Sequence, residues 1–317
     1  VYACNPDVVF YRVAERILPV ELKSNLKPVF TNASEALIFN SVQKLKLWEL
    51  AVKYETSIGK ISPKDVLEKA KNVLEVMRKS IKISKTSSNH YGFLKPTANI
   101  MDNNFNVKNL VDIGILSKVI VRSTAAMENN CAHGIIVAAP TAGSCGVVPS
   151  TIITVGEKIG FDDKKIIEAL LSAGLVGAFI GNQATFGAET AGCQAENGSA
   201  SAMAAAGVAY LLGGSVEECF KGSSLAMENL LGLVCDPIAG LTEIPCINRN
   251  AVSAVNAIIS ANMVIAGYDP IIPLDETILA MMKTGEIMPS ELRCTCKGGL
   301  CITETGKRIA DEINKNR

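Results

Sequence analysis

The stretch GNQATFGAETAGCQAENGSASAMAAAGVAYLLGGSVEECFKGSSLAMENLLGLVCDPIAGLTEIPCINRN, residues 181–250, combines small-residue helical segments with cysteines in polar surroundings. Residues 201–212 and about 216–231 have helical periodicity, and the GGS break between them predicts a helical hairpin. Cys193, Cys235 and Cys246 stand beside glycine or proline in turn-forming sequence. The stretch therefore predicts packed helices joined by turns that carry cysteines.

These three cysteines are candidates for metal ligands. A thiolate needs backbone N–H groups, positive charge or a metal nearby, and the flanking turns would bring N–H groups close to each sulfur. Free cysteine, however, also fills apolar cores as a small hydrophobe. The gaps of 42 and 11 residues form no compact C-x-x-C motif, so the spacing alone leaves both interpretations open.

Four long motifs add a resemblance to a known family: AAPTAGSCGVVPS (138–150), AGCQAENGSASAMAAAG (191–207), GLVCDPIAGLTEIPCINRNAVSAVNA (232–257), and PLDETILAMMKTGEIMPSELR followed by GGL (273–300). Together they resemble the α chain, or α domain, of the iron–sulfur-dependent L-serine dehydratases, from about residue 61 to about residue 306. The resemblance implies a 4Fe-4S cluster held by three cysteines, which match Cys193, Cys235 and Cys246.

The resemblance also implies a lyase that converts L-serine to pyruvate and ammonia. Three protein thiolates leave one iron of the cluster without a protein ligand, and an open coordination position marks a Lewis acid. Alternatives are a related lyase for L-threonine, L-cysteine or another β-substituted acid, a non-catalytic iron–sulfur protein for electron transfer or sensing, and a subunit that only supports another chain.

Two segments supply candidate substrate-binding residues. Dense small residues in APTAGSCG let the backbone approach a ligand, so Thr141, Gly143 and Ser144 are candidates to bind a substrate carboxylate, with a simple tight turn as the alternative. Asn248 and Arg249 directly follow the third cysteine. The arginine fork suits a carboxylate, and a salt bridge or cap within the turn is the alternative.

His90 is a candidate general base. It is one of only two histidines and stands in the polar loop TSSNHYGFLKPTANIMDNN, near where the family places active-site groups. A surface-loop histidine is the alternative.

The tail departs from the family pattern. Cys294, Cys296 and Cys301 flank Lys297-Gly298-Gly299, and the family keeps the LR and GGL residues but not these cysteines. They could bind a second metal, form a redox-sensitive thiol set, or be exposed thiols without a role.

The composition predicts a mainly α protein with closely packed helices. Residues 1–60 are expected to be an N-terminal helical segment of unknown role, in which an amphipathic helix spans the apolar positions from Leu37 to Leu50. Residues 61–317 are expected to form the catalytic domain, with helices starting at the Ser62-Pro63 pair and at Asp162 or Asp163, and another over 251–266.

Charge and hydropathy narrow the expected partners. A formal net charge of zero with 20% charged residues gives no electrostatic footprint for nucleic acid or an anionic membrane. The apolar runs 169–188, 199–216 and 251–268 are too polar for membrane spans and are expected to be core helices. No secretory signal is visible, so a cytoplasmic location is expected. The family's β portion is absent, which predicts a separate β chain or a homodimer.

Overall fold

The computed structural model describes residues 27–59, 61–83, 93–107 and 109–315, and in these ranges the chain is built from helices. His90 lies outside the described residues. The mainly α fold is confirmed by thirteen helices in the described ranges: α1 (Ala33–Gln43), α2 (Leu47–Gly59), α3 (Pro63–Ser80), α4 (Ala98–Val107), α5 (Ile115–Cys131), α6 (Val147–Ile159), α7 (Asp163–Gln183), α8 (Ala188–Ala191), α9 (Ser199–Leu211), α10 (Val216–Glu228), α11 (Cys246–Ile265), α12 (Leu274–Ile287) and α13 (Glu304–Lys315).

Helix α9 is the centre of the fold. Every residue from Ser199 to Leu211 is buried, because the helix is surrounded by α6, α7, α10 and α11. Its sequence, SASAMAAAGVAYL, is apolar or small on all sides, which is the pattern of a helix with no solvent face. The segment that carries Cys193 leads directly into the N-terminus of α9. The position of that cysteine is therefore set by the packing of α9 in the core.

Capping residues set several helix starts as the sequence predicts. Ser62 caps α3 in a capping box with Asp65, and Asp162 caps α7 after Gly160 ends α6 in the left-handed region at φ 89°. The predicted GGS break also holds, since Ser215 caps α10. Each of these caps depends on residues within four positions of each other. The sequence therefore predicts these helix starts well.

The N-terminal region differs from the single amphipathic helix expected between Leu37 and Leu50. The chain turns at Lys44, which has φ 55°, and α1 and α2 form on either side. Asn40 stabilises the turn, because its side chain accepts from the Leu45 N–H at 2.7 Å and donates to the Leu45 carbonyl at 2.9 Å. A local side-chain hydrogen bond has ended the helix where the apolar pattern alone would continue it.

The first two helices pack unequally. Leu47 and Leu50 of α2 are buried in the main core, whereas Ile38 and Val42 of α1 are exposed. Helix α2 packs on α7 and α3. The domain boundary expected at residue 60 stays a prediction.

Helix α7 is the one helix of the described residues that is long and apolar enough to cross a membrane. Within the fold, 78% of its most apolar window is buried, against α2, α3, α6, α9 and α12. Burial of that extent is typical of a core helix in a folded domain.

Two buried helix glycines give a test of how closely α9 is packed. A Cβ on Gly207 would collide with Ile152 and lie 3.0 Å from the Ala169 carbonyl oxygen, whereas a Cβ on Gly222 would meet nothing closer than 3.7 Å. We expect Gly207→Ala to lower the free energy of unfolding by about 1–3 kcal/mol through overpacking. Gly222→Ala should be neutral, or stabilising by up to about 1 kcal/mol.

Urea unfolding followed by circular dichroism measures the difference between these two variants. Equal midpoints for both would contradict the close packing of α9 against α6 and α7.

Candidate active site

Three cysteine side chains from separate segments of the chain, Cys193, Cys235 and Cys294, are in contact near the N-terminus of α9. The thiol of Cys235 is in hydrogen-bonding contact with the thiols of Cys193 and Cys294, and these contacts raise the pKa of Cys235. The same contact with Cys235 lowers the pKa of Cys294. Cys193 and Cys235 are 0% and 3% exposed. Two of the three predicted ligands therefore lie together, with Cys294 beside them.

Cys246 reaches the same site from another side. It is 5% exposed and packs against Met127 and Cys145. Burial raises the pKa of Cys246, and the neighbouring charge of Cys193 raises it further. Cys246 is also the first residue of α11, and the positive end of a helix dipole favours a thiolate there.

A buried glutamine fixes the loop of Cys193. Gln194 is 1% exposed, and its amide oxygen accepts from the Gly232 N–H at 2.8 Å. Its amide nitrogen donates to carbonyl groups of α8 and α12 at 2.9 and 3.1 Å, and its own N–H donates to the Leu233 carbonyl at 3.0 Å. These bonds hold Cys193 against the segment that carries Cys235.

Arg249 forms an ion pair within the same group. Its Nη2 lies 2.8 Å from Asp236 Oδ1, its Nη1 donates to the Val234 carbonyl at 2.9 Å, and the same Nη1 lies 3.6 Å from Cys193 Sγ. The structure thus contains the salt bridge that was the alternative for Arg249. A role for Arg249 in binding a substrate carboxylate stays a prediction.

The tail loop is attached to the Cys235 segment by its backbone. The Cys235 N–H donates to the Leu292 carbonyl at 2.8 Å, and the Cys294 N–H donates to the Cys235 carbonyl at 2.7 Å. Leu300 N–H donates to Asp236 Oδ2 at 2.7 Å. Gly299, at φ 59°, lies so close to the Asp236 carboxylate that a side chain would collide with it, which accounts for the glycine at this position.

The other two tail cysteines point to one carbonyl group. The thiols of Cys296 and Cys301 donate to the Pro237 carbonyl at 3.4 and 3.2 Å. Within the described ranges, no three His, Cys, Asp or Glu side chains are grouped as a single metal ion requires. Cys301 is buried and Cys294 and Cys296 are half-buried, so the expectation that these thiols are exposed is wrong. A redox-sensitive role and the absence of any role both remain predictions.

The APTAGSCG segment forms a tight turn beside the cysteines. Residues Ala142–Ser144 make one turn of 3₁₀ helix, and the Thr141 and Ser144 hydroxyls lie 3.0 Å apart. Asn250 holds this turn: its Nδ2 donates to the Gly143 carbonyl at 2.8 Å, and its Oδ1 accepts from the Gly146 N–H at 3.0 Å. The predicted substrate-binding turn is therefore attached to the helix that starts at Cys246.

Helix α11 begins five residues earlier than the sequence predicts. It starts at Cys246 instead of residue 251, so Asn248, Arg249 and Asn250 all lie in its first turns. Asn248 is exposed and Asn250 is fully buried. Asn250 is thus the asparagine that connects α11 to the 141–144 turn. A contact between Asn248 and the substrate stays a prediction.

Glu196 is a site residue that the sequence interpretation did not single out. A Cβ on Gly143 would lie 3.0 and 3.1 Å from the two carboxylate oxygens of Glu196, and the Thr141 hydroxyl hydrogen-bonds to it. Burial raises the pKa of Glu196, against the lowering effect of that hydrogen bond. Glu196 therefore brings an acid between the cysteines and the 141–144 turn.

Two features of the sequence could have pointed to these residues. Gln194 and Glu196 follow Cys193 within a turn, inside an otherwise small and apolar segment. Asn250 lies four residues after Cys246, which on a helix is the same face. The partners that join them to other segments, by contrast, are distant in the chain: Gly232 lies 38 positions from Gln194 and Gly143 lies 107 positions from Asn250.

Removing the Asn250 side chain should weaken the attachment of the 141–144 turn. We expect Asn250→Ala to lower the free energy of unfolding by about 1–3 kcal/mol, because the buried Gly143 carbonyl and Gly146 N–H lose their partner. Asn248→Ala, two residues away on the same helix, should leave the urea midpoint unchanged. A similar loss in both variants would argue against the role of Asn250.

Glu196 should make stability fall as pH rises. Its native-state pKa is raised above the ordinary value of 4.5, so the folded protein holds this proton more tightly than the unfolded chain does. The contribution of the protonated Glu196 carboxyl to the free energy of unfolding is fully present below about pH 4.5. This contribution is lost as the pH rises through the native-state pKa of Glu196. Glu196→Gln cannot lose this proton.

In the metal-free protein, we therefore expect the stability of Glu196→Gln relative to wild type to increase from acid to neutral pH. Urea midpoints measured across that range test it, and a difference that does not change with pH would contradict the raised pKa.

Comparison with known proteins identifies the family. Residues 42–301 match the family "Serine dehydratase alpha chain". The chain is 37% identical over 291 residues to a "Probable L-serine dehydratase, alpha chain" of Bacillus subtilis, covering 90% of this chain and 95% of the relative. It is 36% identical to the "L-serine dehydratase, alpha chain" of Peptoniphilus asaccharolyticus, covering 90% and 99%. It is 38% identical to the "L-serine dehydratase TdcG" of Escherichia coli, covering 60% and 42%. The chain belongs to the serine dehydratase alpha chain family.

Proposed function

We propose that this chain is a lyase that converts L-serine to pyruvate and ammonia at a 4Fe-4S cluster held by Cys193, Cys235 and Cys246. The observation that carries the proposal is the contact between Cys193 and Cys235, with Cys246 near enough for the charge of Cys193 to act on it. The three cysteines are 42 and 11 residues apart in the chain, and relatives that match nearly the whole chain are named L-serine dehydratase, alpha chain.

The donor set fits a cluster. A single metal ion needs its ligands around one point, whereas a cubane takes each thiolate at a different iron and so accepts sulfurs from several directions. Arg249 Nη1 lies 3.6 Å from Cys193 Sγ, and a cation or N–H group near a ligating sulfur stabilises its negative charge. When bound, the cluster would supply a Lewis-acidic iron that labilises the serine hydroxyl.

The remaining residues would bind and orient serine. Thr141, Gly143 and Ser144 would bind its carboxylate, with the turn held in place by Asn250. Arg249 would orient the Cys193 ligand through its ion pair with Asp236. Holding the substrate in one orientation lowers the entropic part of the barrier. His90 remains our candidate for the base that removes the Cα proton.

A partner chain and a cellular location are part of the proposal. The relatives' "alpha chain" names favour assembly with a separate β chain, and a homodimer is the alternative. We place the protein in the cytoplasm, where free thiols and iron–sulfur clusters are maintained under reducing conditions.

Alanine variants of single cysteines test the proposal. Full-length protein is purified and reconstituted with iron and sulfide without air, and its iron content, sulfide content and turnover are measured. We expect Cys193→Ala, Cys235→Ala and Cys246→Ala to lose cluster and to lower turnover of L-serine at least about 100-fold. Cys219→Ala is the matched control, since Cys219 is buried in α10 with its thiol near the Gly214 carbonyl.

The outcomes separate the alternatives. Pyruvate and ammonia from L-serine support the proposal, whereas 2-oxobutanoate from L-threonine, or release of sulfide from L-cysteine, would identify a related lyase. A cluster without turnover of any of these amino acids would favour a non-catalytic iron–sulfur protein. Protein without iron and sulfide after reconstitution would overturn the proposal.

A further inference from the structure

Glu196 lies in the site, but neither the proposed cluster nor the proposed carboxylate-binding turn at 141–144 gives its carboxylate a role. Its two carboxylate oxygens would lie 3.0 and 3.1 Å from a Cβ on Gly143, so the acid faces the backbone of the turn proposed to bind the substrate carboxylate. The Thr141 hydroxyl hydrogen-bonds to it. An acid and a carboxylate-binding turn are therefore direct neighbours.

Within the described part of the chain, the charged groups that interact with Glu196 are an acid and thiols. Its charge is felt by Cys246 and Cys294, and Glu189 acts on it as a second acid. Among the described residues, the ion pairs of lysine and arginine all go to other acids. A partly buried carboxylate in such surroundings is stabilised by a cation. Since Glu196 is mostly buried but keeps some exposed surface, a small ligand that enters the site could supply that cation.

We propose that Glu196 binds the α-ammonium group of the substrate and so makes the site specific for amino acids. This inference rests on the proposed function and assigns one of its contacts. An amino acid carries a carboxylate and an ammonium on the same carbon, and the 141–144 turn beside Glu196 offers a matching pair of groups. An acid without the amino group would place its carboxylate next to that of Glu196, and this repulsion would exclude it.

The raised pKa of Glu196 is consistent with this assignment. Burial is the largest cause of the raised pKa of Glu196, and an incoming ammonium would lower this pKa again.

The experiment compares L-serine with 3-hydroxypropanoate, which is serine without its amino group. Binding of both to the cluster-loaded, full-length protein is measured by calorimetry, together with KM for L-serine and competitive inhibition by 3-hydroxypropanoate. For Glu196→Gln we expect the Kd and KM of L-serine to rise about tenfold or more, because a charge-assisted hydrogen bond is lost. The Kd of 3-hydroxypropanoate should not rise, since its repulsion by Glu196 is removed.

A purely structural role for Glu196 would weaken both ligands together, and that result would overturn the inference. Unchanged affinity for L-serine in Glu196→Gln would overturn it as well, and the proposed function would stand in both cases. Wild-type protein that neither binds nor turns over L-serine would overturn the proposed function and this inference with it.

Glu189→Gln is the matched control. Glu189 is an exposed acid of α8 that acts electrostatically on Glu196, so its removal changes the local charge by the same amount. We expect its Kd values for the two ligands to stay within about twofold of wild type. Glu196→Asp, which keeps the charge, should recover part of the affinity for L-serine if its circular dichroism matches that of the wild type.

Discussion

The site depends on the buried carboxylate of Asp236. This side chain is 3% exposed, and a charge taken out of water requires partners that replace its hydration. Its partners come from two directions: Arg249 at 2.8 Å from α11, and the Leu300 N–H at 2.7 Å from the tail. Because neither partner is near Asp236 in the chain, satisfying one carboxylate brings the segment after Cys235, the start of α11 and the tail loop together.

The same constraint accounts for the shape of the tail. A side chain at Gly299 would meet the Asp236 carboxylate, so the close approach requires glycine there as well as its left-handed backbone. Two backbone hydrogen bonds join Cys235 to Leu292 and Cys294, and together with Asp236 they attach the tail at both ends of residues 292–300. The thiol of Cys294 is thereby held next to that of Cys235.

What the sequence predicts well is local. The Ser62 and Asp162 caps and the GGS break each depend on residues a few positions apart, and the uncharged sequence of α9 predicts a helix without a solvent face. A local apolar pattern gives the wrong prediction where a polar side chain ends a helix. The apolar positions from Leu37 to Leu50 predict one helix, yet the hydrogen bonds of Asn40 to Leu45 divide it at Lys44.

The contacts of the site were less accessible from the sequence. Motif resemblance predicts the three cysteines as ligands, and dense small residues predict a binding turn at 141–144, but the bonds that hold these segments run from Gln194 to Gly232 and from Asn250 to Gly143. These contacts depend on which residues of distant segments meet when the helices pack. The sequence predicts that α9 is buried, but it does not specify those residue pairs. Glu196 was missed for the same reason, since its importance comes from the Gly143 backbone that it faces.

The site brings together several groups that are negative when ionised, and a bound metal would offset their charge. Cys193, Cys235, Cys246, Glu196 and Asp236 would together be strongly negative if all were ionised, and in the described ranges Arg249 is a cation in contact with this group. Without metal, the protein reduces this charge by keeping protons: thiol contacts raise the pKa of Cys235, and burial raises that of Cys246 and of Glu196. Binding of the proposed cluster would release the thiol protons, and its iron would add positive charge to that of Arg249.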